Sequence, residues 1–261
     1  MMPGLPATLS GFGVGVIVGM TGIGGGALMT PVLLLVFGIT PQTAVGTDLF
    51  FACITKVFGV VVHGRRGTVD WQIVRRLAVG SMPAAALSLL MLGYLRSAQI
   101  RDGLVVEALG IVLLLTAAGL VLRGSLHEAG RALRTRTPAR FKNAQPALTV
   151  LAGAIVGCLV TLTSVGSGAL GTVMLVYLYP YRLNAGKLVG TDLAHAIPLT
   201  LAAGAGHLFI GNIDFGLLAN LLLGSVPGIL LGSMFSTRAP DGITRFAIAS
   251  VLAVVAVRLL L

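Results

Sequence analysis

Val45-Gly46-Thr47-Asp48-Leu49 recurs, letter for letter, as Val189-Gly190-Thr191-Asp192-Leu193. The register persists around it. Thr21-Gly22-Ile23-Gly24-Gly25-Gly26-Ala27-Leu28 matches Thr163-Ser164-Val165-Gly166-Ser167-Gly168-Ala169-Leu170. His63 matches His207, Gly67 matches Gly211, Asp70 matches Asp214, and Gly80-Ser81-x-Pro83 matches Gly224-Ser225-x-Pro227. Chance does not keep one order over so many positions, so the chain is a duplicated unit, and that repeat governs every later inference about the fold.

Lipid is the solvent for both copies. The chain is 56 % hydrophobic and 10 % charged, with mean hydropathy +0.99, whereas a soluble domain carries about 25 % charged residues. Each half reads as five apolar segments: 5–20, 25–38, 41–63, 72–93 and 103–122, then 147–162, 167–179, 185–209, 214–235 and 243–261. Several are long enough for a hydrocarbon core of about 30 Å. The expected architecture is all-α and integral to the membrane. A first transmembrane repeat covers 1–122, a basic cytoplasmic linker covers 123–146, and a second repeat covers 147–261. Met1 to Ser10 lacks the basic n-region of a removable signal peptide. The first two segments of each half are short and separated only by glycine-rich sequence, which fits a re-entrant hairpin or two short crossings.

The formal charge of +10 does not point to nucleic acid, because the basic residues sit in loops without interleaved aromatics. Arg65, Arg66, Arg75, Arg76 and the stretch from Arg123 to Lys142 instead mark a cytoplasmic side. An odd number of segments per half turns the second copy upside down. Loop charge agrees, since 64–76 carries four arginines and its counterpart 210–214 carries none. Inverted repeats of this kind hold a transporter's binding site near the midplane, where the halves meet. Cys53 and Cys158 are the two cysteines, each in an apolar run, so neither a disulfide nor a Cys-based metal site is expected, and no cofactor is implied.

Gly24, Gly25 and Gly26 and, in the second copy, Gly166, Ser167 and Gly168 predict equivalent breaks in helix. Inside a bilayer such breaks survive only where protein or a water-filled cavity satisfies the freed groups. A helix beginning at Gly26 or Gly168 aims N–H groups and a partial positive charge at that cavity, which is an anion site. Thr21, Thr163, Thr47 and Thr191 complete the expected substrate-binding set. The competing role is close packing alone, the role expected of Gly11-x-x-x-Gly15 and Gly153-x-x-x-Gly157.

Asp48 falls about 11 Å along its helix, level with the hairpin tips. An acid at that depth, like Asp192, is either a proton carrier or a brace for the hairpin. His195, three residues after Asp192, is expected to pair with it as a proton relay. Lys56, whose counterpart is Thr200, offers a charge partner to Asp48 or to substrate, but its long stem is expected to snorkel to the helix end. Asp70 and Asp214 are read as helix caps, as are Thr40 and Asn184. His63 and His207 are read as interfacial residues, and Pro83 and Pro227 as kinks.

Three stretches, Gly-Phe-Gly-Val-Gly-Val-Ile-Val-Gly-Met-Thr-Gly-Ile-Gly-Gly-Gly at 11–26, Val-Gly-Thr-Asp at 45–48 with its repeat at 189–192, and Gly67-x-x-Asp70-Trp71, together resemble the TauE/SafE family of sulfite and organosulfonate exporters. The resemblance covers essentially the whole chain. The second glycine-rich copy departs from the first by carrying Ser164 and Ser167 where the first has glycines. The resemblance implies proton-coupled export of sulfite, sulfoacetate or a similar sulfur-containing anion across the bacterial cytoplasmic membrane. The residues fit a secondary transporter with alternating access rather than an enzyme. Two other readings stay open. A passive anion channel would need no acid at the midplane. An intramembrane serine hydrolase would use Ser167 or Ser164 with His207 or His195, but no G-x-S-x-G elbow is present. The expected partners are the small anion and membrane lipid; whether the chain forms a homo-oligomer is not encoded.

Overall fold

The computed structural model describes residues 4–21, 26–63, 68–97, 103–136, 138–235 and 241–261. Among these residues there are ten helices and no strand. They are α1 (Gly4–Thr21), α2 (Gly26–Leu35), α3 (Pro41–His63), α4 (Trp71–Ser97), α5 (Gly103–Arg136), α6 (Pro138–Thr163), α7 (Ala169–Leu178), α8 (Ala185–Ile210), α9 (Phe215–Phe235) and α10 (Asp241–Leu260). Five stretches, on α4, α5, α6, α8 and α9, are long and apolar enough to cross a membrane, as a multi-pass membrane protein requires. In contrast α2 and α7 have 10 residues each. That is about 15 Å of helix, half of a hydrocarbon core, so neither crosses alone.

The described residues of the connector between the halves are helical. Residues 123–136 prolong α5 and 138–146 open α6. The apolar run ends near Leu122, yet the Arg, Leu, Ala and Glu residues that follow are strong helix formers. Polarity there changes along the helix without ending it. Asp70 and Asp214 cap α4 and α9 as expected, their Oδ1 atoms accepting from the N–H groups of Ile73 at 3.3 Å and Leu217 at 2.9 Å. Asn184 does the same for α8, accepting from Lys187 N at 2.8 Å. Thr40 differs: its hydroxyl donates to that of Thr43 at 3.0 Å.

Packing between the halves is reciprocal. Helix α1 lies on α9 while α6 lies on α4; α3 meets α8, and α5 meets α10, each against its own repeat counterpart. The crossings run backbone against backbone. Gly11 and Gly15 face the carbonyls of Leu221 and Ser225, and Gly153 and Gly157 those of Leu77 and Ser81. From the opposite side, a Cβ built on Gly80 would lie 1.9 Å from Val150 O, and one on Gly224 1.8 Å from Thr8 O. Small residues are needed here because lipid tails are as apolar as leucine. Association in lipid therefore rests on close packing rather than on expelling water.

Gly80→Val and Gly224→Val should each destabilise the protein by about 1–3 kcal/mol through overpacking. Gly93→Ala, on the same helix as Gly80 but with nothing within 4 Å of its Cβ position, should not. Thermal unfolding in detergent measures the difference, and equal losses at Gly80 and Gly93 would contradict the crossing.

Candidate functional site

Between α6 and α7 the chain leaves the helix over residues 164–168. Thr163 shapes the exit: its hydroxyl donates to Leu159 O at 2.6 Å and accepts from Val165 N at 3.2 Å. Ser164 takes φ 60° and Gly166 φ 114°. That left-handed region is free for glycine and strained for serine, and strain of this kind collects at functional sites. The helix resumes at Ala169 with Gly168 as an N-cap that has no side-chain capping bond. The break expected at Gly166 and Gly168 is thus present. In the first copy α1 stops at Thr21 and α2 starts at Gly26. Gly24 and Gly25 lie outside the described residues, as does the side chain of Thr21.

The Lys56 side chain is fully buried and its ammonium donates to Ser167 Oγ at 2.5 Å. The expected snorkelling does not occur. Helix α3 packs against α2, α8 and α9, so the stem has no surface to follow, and the broken backbone before α7 supplies the acceptor instead. The charges of Asp192 and Asp48 both act on this ammonium. Asp48 is buried and accepts the Thr30 hydroxyl on Oδ2, while its Oδ1 has no partner. Asp192 is buried with Oδ1 against Gly171, where a Cβ would come within 2.6 Å, and its Oδ2 has no partner. Ser164 lies beside Asp48 with its Oγ buried. Cys53 lies within reach of the lysine's charge and beside Thr200. Buried polar atoms without partners are rare enough to require a reason, and one carboxylate oxygen of each of Asp48 and Asp192 is among them, within reach of one ammonium.

His195 does not pair with Asp192. Its Nε2 lies 2.9 Å from Ser81 Oγ on α4. Residues three apart point about 60° away from each other around a helix, which turns Asp192 toward α7 and His195 toward α4. The repeat counterpart of His195 is Phe51, and Ser225, counterpart of Ser81, is left buried without a partner. His207 is buried too, with Nε2 2.9 Å from Thr161 O. This corrects the interfacial reading, because the end of α8 is covered by α6. The His63 side chain lies outside the described residues.

Thr47 and Thr191 have their hydroxyls committed to the frame. Thr47 Oγ1 accepts from Asp214 N at 3.1 Å and Thr191 Oγ1 from Asp70 N at 3.0 Å. The preceding glycines admit the approaching backbone: a Cβ on Gly46 would lie 2.1 Å from Asn212 O, and one on Gly190 2.6 Å from Thr68 O. One motif therefore does three jobs. Its glycine makes room, its threonine ties α3 to the start of α9 and α8 to the start of α4, and its aspartate enters the Lys56 cluster. Ser81 and Thr30 escaped the sequence reading. Only the Gly80-Ser81-x-Pro83 repeat flagged Ser81, and it reads equally well as packing. The described residues contain no serine–histidine arrangement at Ser164 or Ser167: Ser167 meets Lys56, and the two histidines are engaged elsewhere. Among the same residues no three His, Cys, Asp or Glu side chains gather as a metal site.

Comparison with known proteins places these features in a family. The family model described as Sulfite exporter TauE/SafE matches residues 7–259. The chain is 42 % identical over 254 residues to the probable membrane transporter protein YjnA of Bacillus subtilis, covering 97 % of this chain and 98 % of that protein. It is 26 % identical over 237 residues to the probable membrane transporter protein YdhB of the same organism, covering 91 % and 92 %. No solved structure matches.

Removing the ammonium should expose the cost of the surrounding carboxylates. Lys56→Met is expected to lose about 3–5 kcal/mol, as broken buried ion clusters do. Lys56→Met with Asp192→Asn should lose less than the sum of the single changes. Thermal unfolding of the four proteins closes the cycle, and strict additivity would mean that Lys56 and Asp192 do not interact.

Proposed function

The chain belongs to the TauE/SafE sulfite exporter family, and from that premise we propose that it exports sulfite, sulfoacetate or a similar small sulfur-containing anion. Lys56 and Ser167 at the start of α7 are its binding core. The observation that carries this reading is the buried Lys56 ammonium held by a neutral hydroxyl directly before an uncapped helix N-terminus. Both the ammonium and the helix start are positive, and an oxyanion set between them relieves their repulsion. The start of α2 at Gly26 is the second set of N–H donors in this reading.

Charge balance supplies the coupling. Two like charges about 4 Å apart repel by about 4 kcal/mol even at an effective dielectric constant of about 20. An anion therefore cannot share this pocket with Asp48 and Asp192 both ionised, and a proton on one carboxylate accompanies the loaded anion. On the empty return that proton has left with the anion, both carboxylates are ionised, and Lys56 offsets one of them. A divalent anion leaving with one proton still carries negative charge outward. The inside-negative potential favours that movement by about 2.3 kcal/mol per charge per 100 mV.

The two copies lie inverted in the bacterial inner membrane, with Arg65, Arg66, Arg75, Arg76 and the α5–α6 connector on the cytoplasmic side. The glycine-locked pairs α1–α9 and α4–α6 rock as rigid units about the α3–α8 contact, exposing the pocket to each side in turn.

Proteoliposomes loaded with sulfite should exchange it with external label. Ser167→Ala should slow exchange about tenfold or more, the loss of one hydrogen bond to a charged group. Asp48→Asn or Asp192→Asn should remove the response to an imposed pH gradient. No flux across a panel of sulfite, sulfoacetate, thiosulfate and sulfate would overturn the transport reading, and an unchanged pH response in both variants would overturn the coupling.

A further inference from the structure

Far along the chain from Lys56, the end of α5, the start of α6 and the turn after α7 line a half-open cavity of about 240 Å³, with Arg134, Lys142, Tyr179, Tyr181 and Arg182 in its lining. Its walls are fixed by a dense polar network. The Thr149 and Tyr179 hydroxyls are 2.8 Å apart, Arg76 donates to Tyr179 Oη at 3.3 Å, and Gln145 donates to Leu178 O at 2.5 Å. Arg131 lies with its guanidinium 5.3 Å from the Tyr181 ring centroid. Arg182 holds Asp70 through bonds of 2.6 and 2.8 Å and also donates to Gln72 at 2.8 Å.

The charges in this lining do not balance. Three cations face the cavity, and the carboxylate bonded to the lining, Asp70, is already taken by Arg182. Arg134 Nη1 is buried with no hydrogen-bond partner. A guanidinium donor shut away from water without an acceptor is costly, and its planar fork suits a bidentate oxyanion, a carboxylate or a phosphate. The level of the cavity says where that oxyanion comes from. Gln145 and Thr149, which meet Leu178 and Tyr179, stand where the apolar run of α6 begins, and Arg134 and Lys142 lie in the basic connector beside it. Two tyrosines flank them. This is the depth of lipid headgroups, where tyrosine and basic residues collect.

We infer that this cavity is a binding site for the phosphate headgroup of an anionic lipid, held by Arg134 and Lys142 and walled by Tyr179 and Tyr181. The inference is independent of which anion is transported. It bears on transport through one element: Tyr179 is the C-cap of α7, the half-length helix whose other end carries Ser167. A headgroup seated here fixes that helix from the side opposite to the proposed anion pocket.

The purified full chain in phosphatidylcholine nanodiscs, with phosphatidylglycerol titrated in, tests the site by thermal unfolding and by the lipids retained in native mass spectrometry. Phosphatidylglycerol should be retained and should raise the unfolding temperature. Arg134→Gln with Lys142→Gln should weaken retention about tenfold or more, while Lys142→Arg should keep it. Lys142→Gln alone, on an exposed side chain, reads the same difference if the double variant does not fold. Inorganic phosphate or sulfite added to phosphatidylcholine discs distinguishes a free anion. If these ions stabilise the wild type over the variant and phosphatidylglycerol does not, the lipid assignment is overturned. If neither separates wild type from variant, the site itself is overturned.

Discussion

Where α1 meets α9 and α4 meets α6, the carbonyl oxygens of one helix occupy the space that a Cβ of the other would need. In lipid this closeness is the source of association, since burying apolar side chains gains little over contact with acyl chains. The two crossings link the first helix of each half to the fourth helix of the other, so neither half is complete alone. Everything inside follows from that exchange. It encloses α3 and α8 and brings the Val-Gly-Thr-Asp threonines onto the starts of α9 and α4. It also denies Lys56 any route to the surface.

Symmetry builds this frame, and departures from it set the unmatched polar groups inside it. Lys56 stands where the other copy has Thr200, Ser167 where it has Gly25, and His195 where it has Phe51. Each departure adds a polar group on the interior side of α3, α7 or α8. The frame is generous about the loss of strict symmetry: Ser225 keeps a buried hydroxyl for which Phe51 offers nothing. The surviving asymmetric cluster contains one ammonium, two carboxylates and a strained serine. That composition suits a site that changes its charge as cargo binds and leaves.

The repeat, the helical class, the glycine contacts and the break before α7 were legible in the sequence, because each depends on local chemistry or on matching letters. The partners of buried polar groups were not. Lys56 read as a snorkelling side chain, since a sequence shows how long a stem is but not whether a neighbouring helix covers it. Asp192 and His195 read as a pair because spacing places them on adjacent turns; the structure separates them between α7 and α4. Thr47 and Thr191 sat in the right motif, but the hydroxyls serve backbone N–H groups some hundred and more residues away. The connector at 123–146 read as a separate linker since polarity marks the exit from lipid more sharply than it marks the end of a helix.

We propose that the space around Lys56 opens to each side of the membrane in turn and holds the anion. Cys53, buried next to that lysine, is a native reporter of it. With Cys158→Ser to remove the other thiol, a membrane-impermeant thiol reagent can be applied to either face of oriented vesicles while sulfoacetate is present or absent. The account predicts modification of Cys53 from both faces, slowed by sulfoacetate. A Cys53 that stays inert from both faces during active transport, or reacts at a rate the anion does not change, would contradict it.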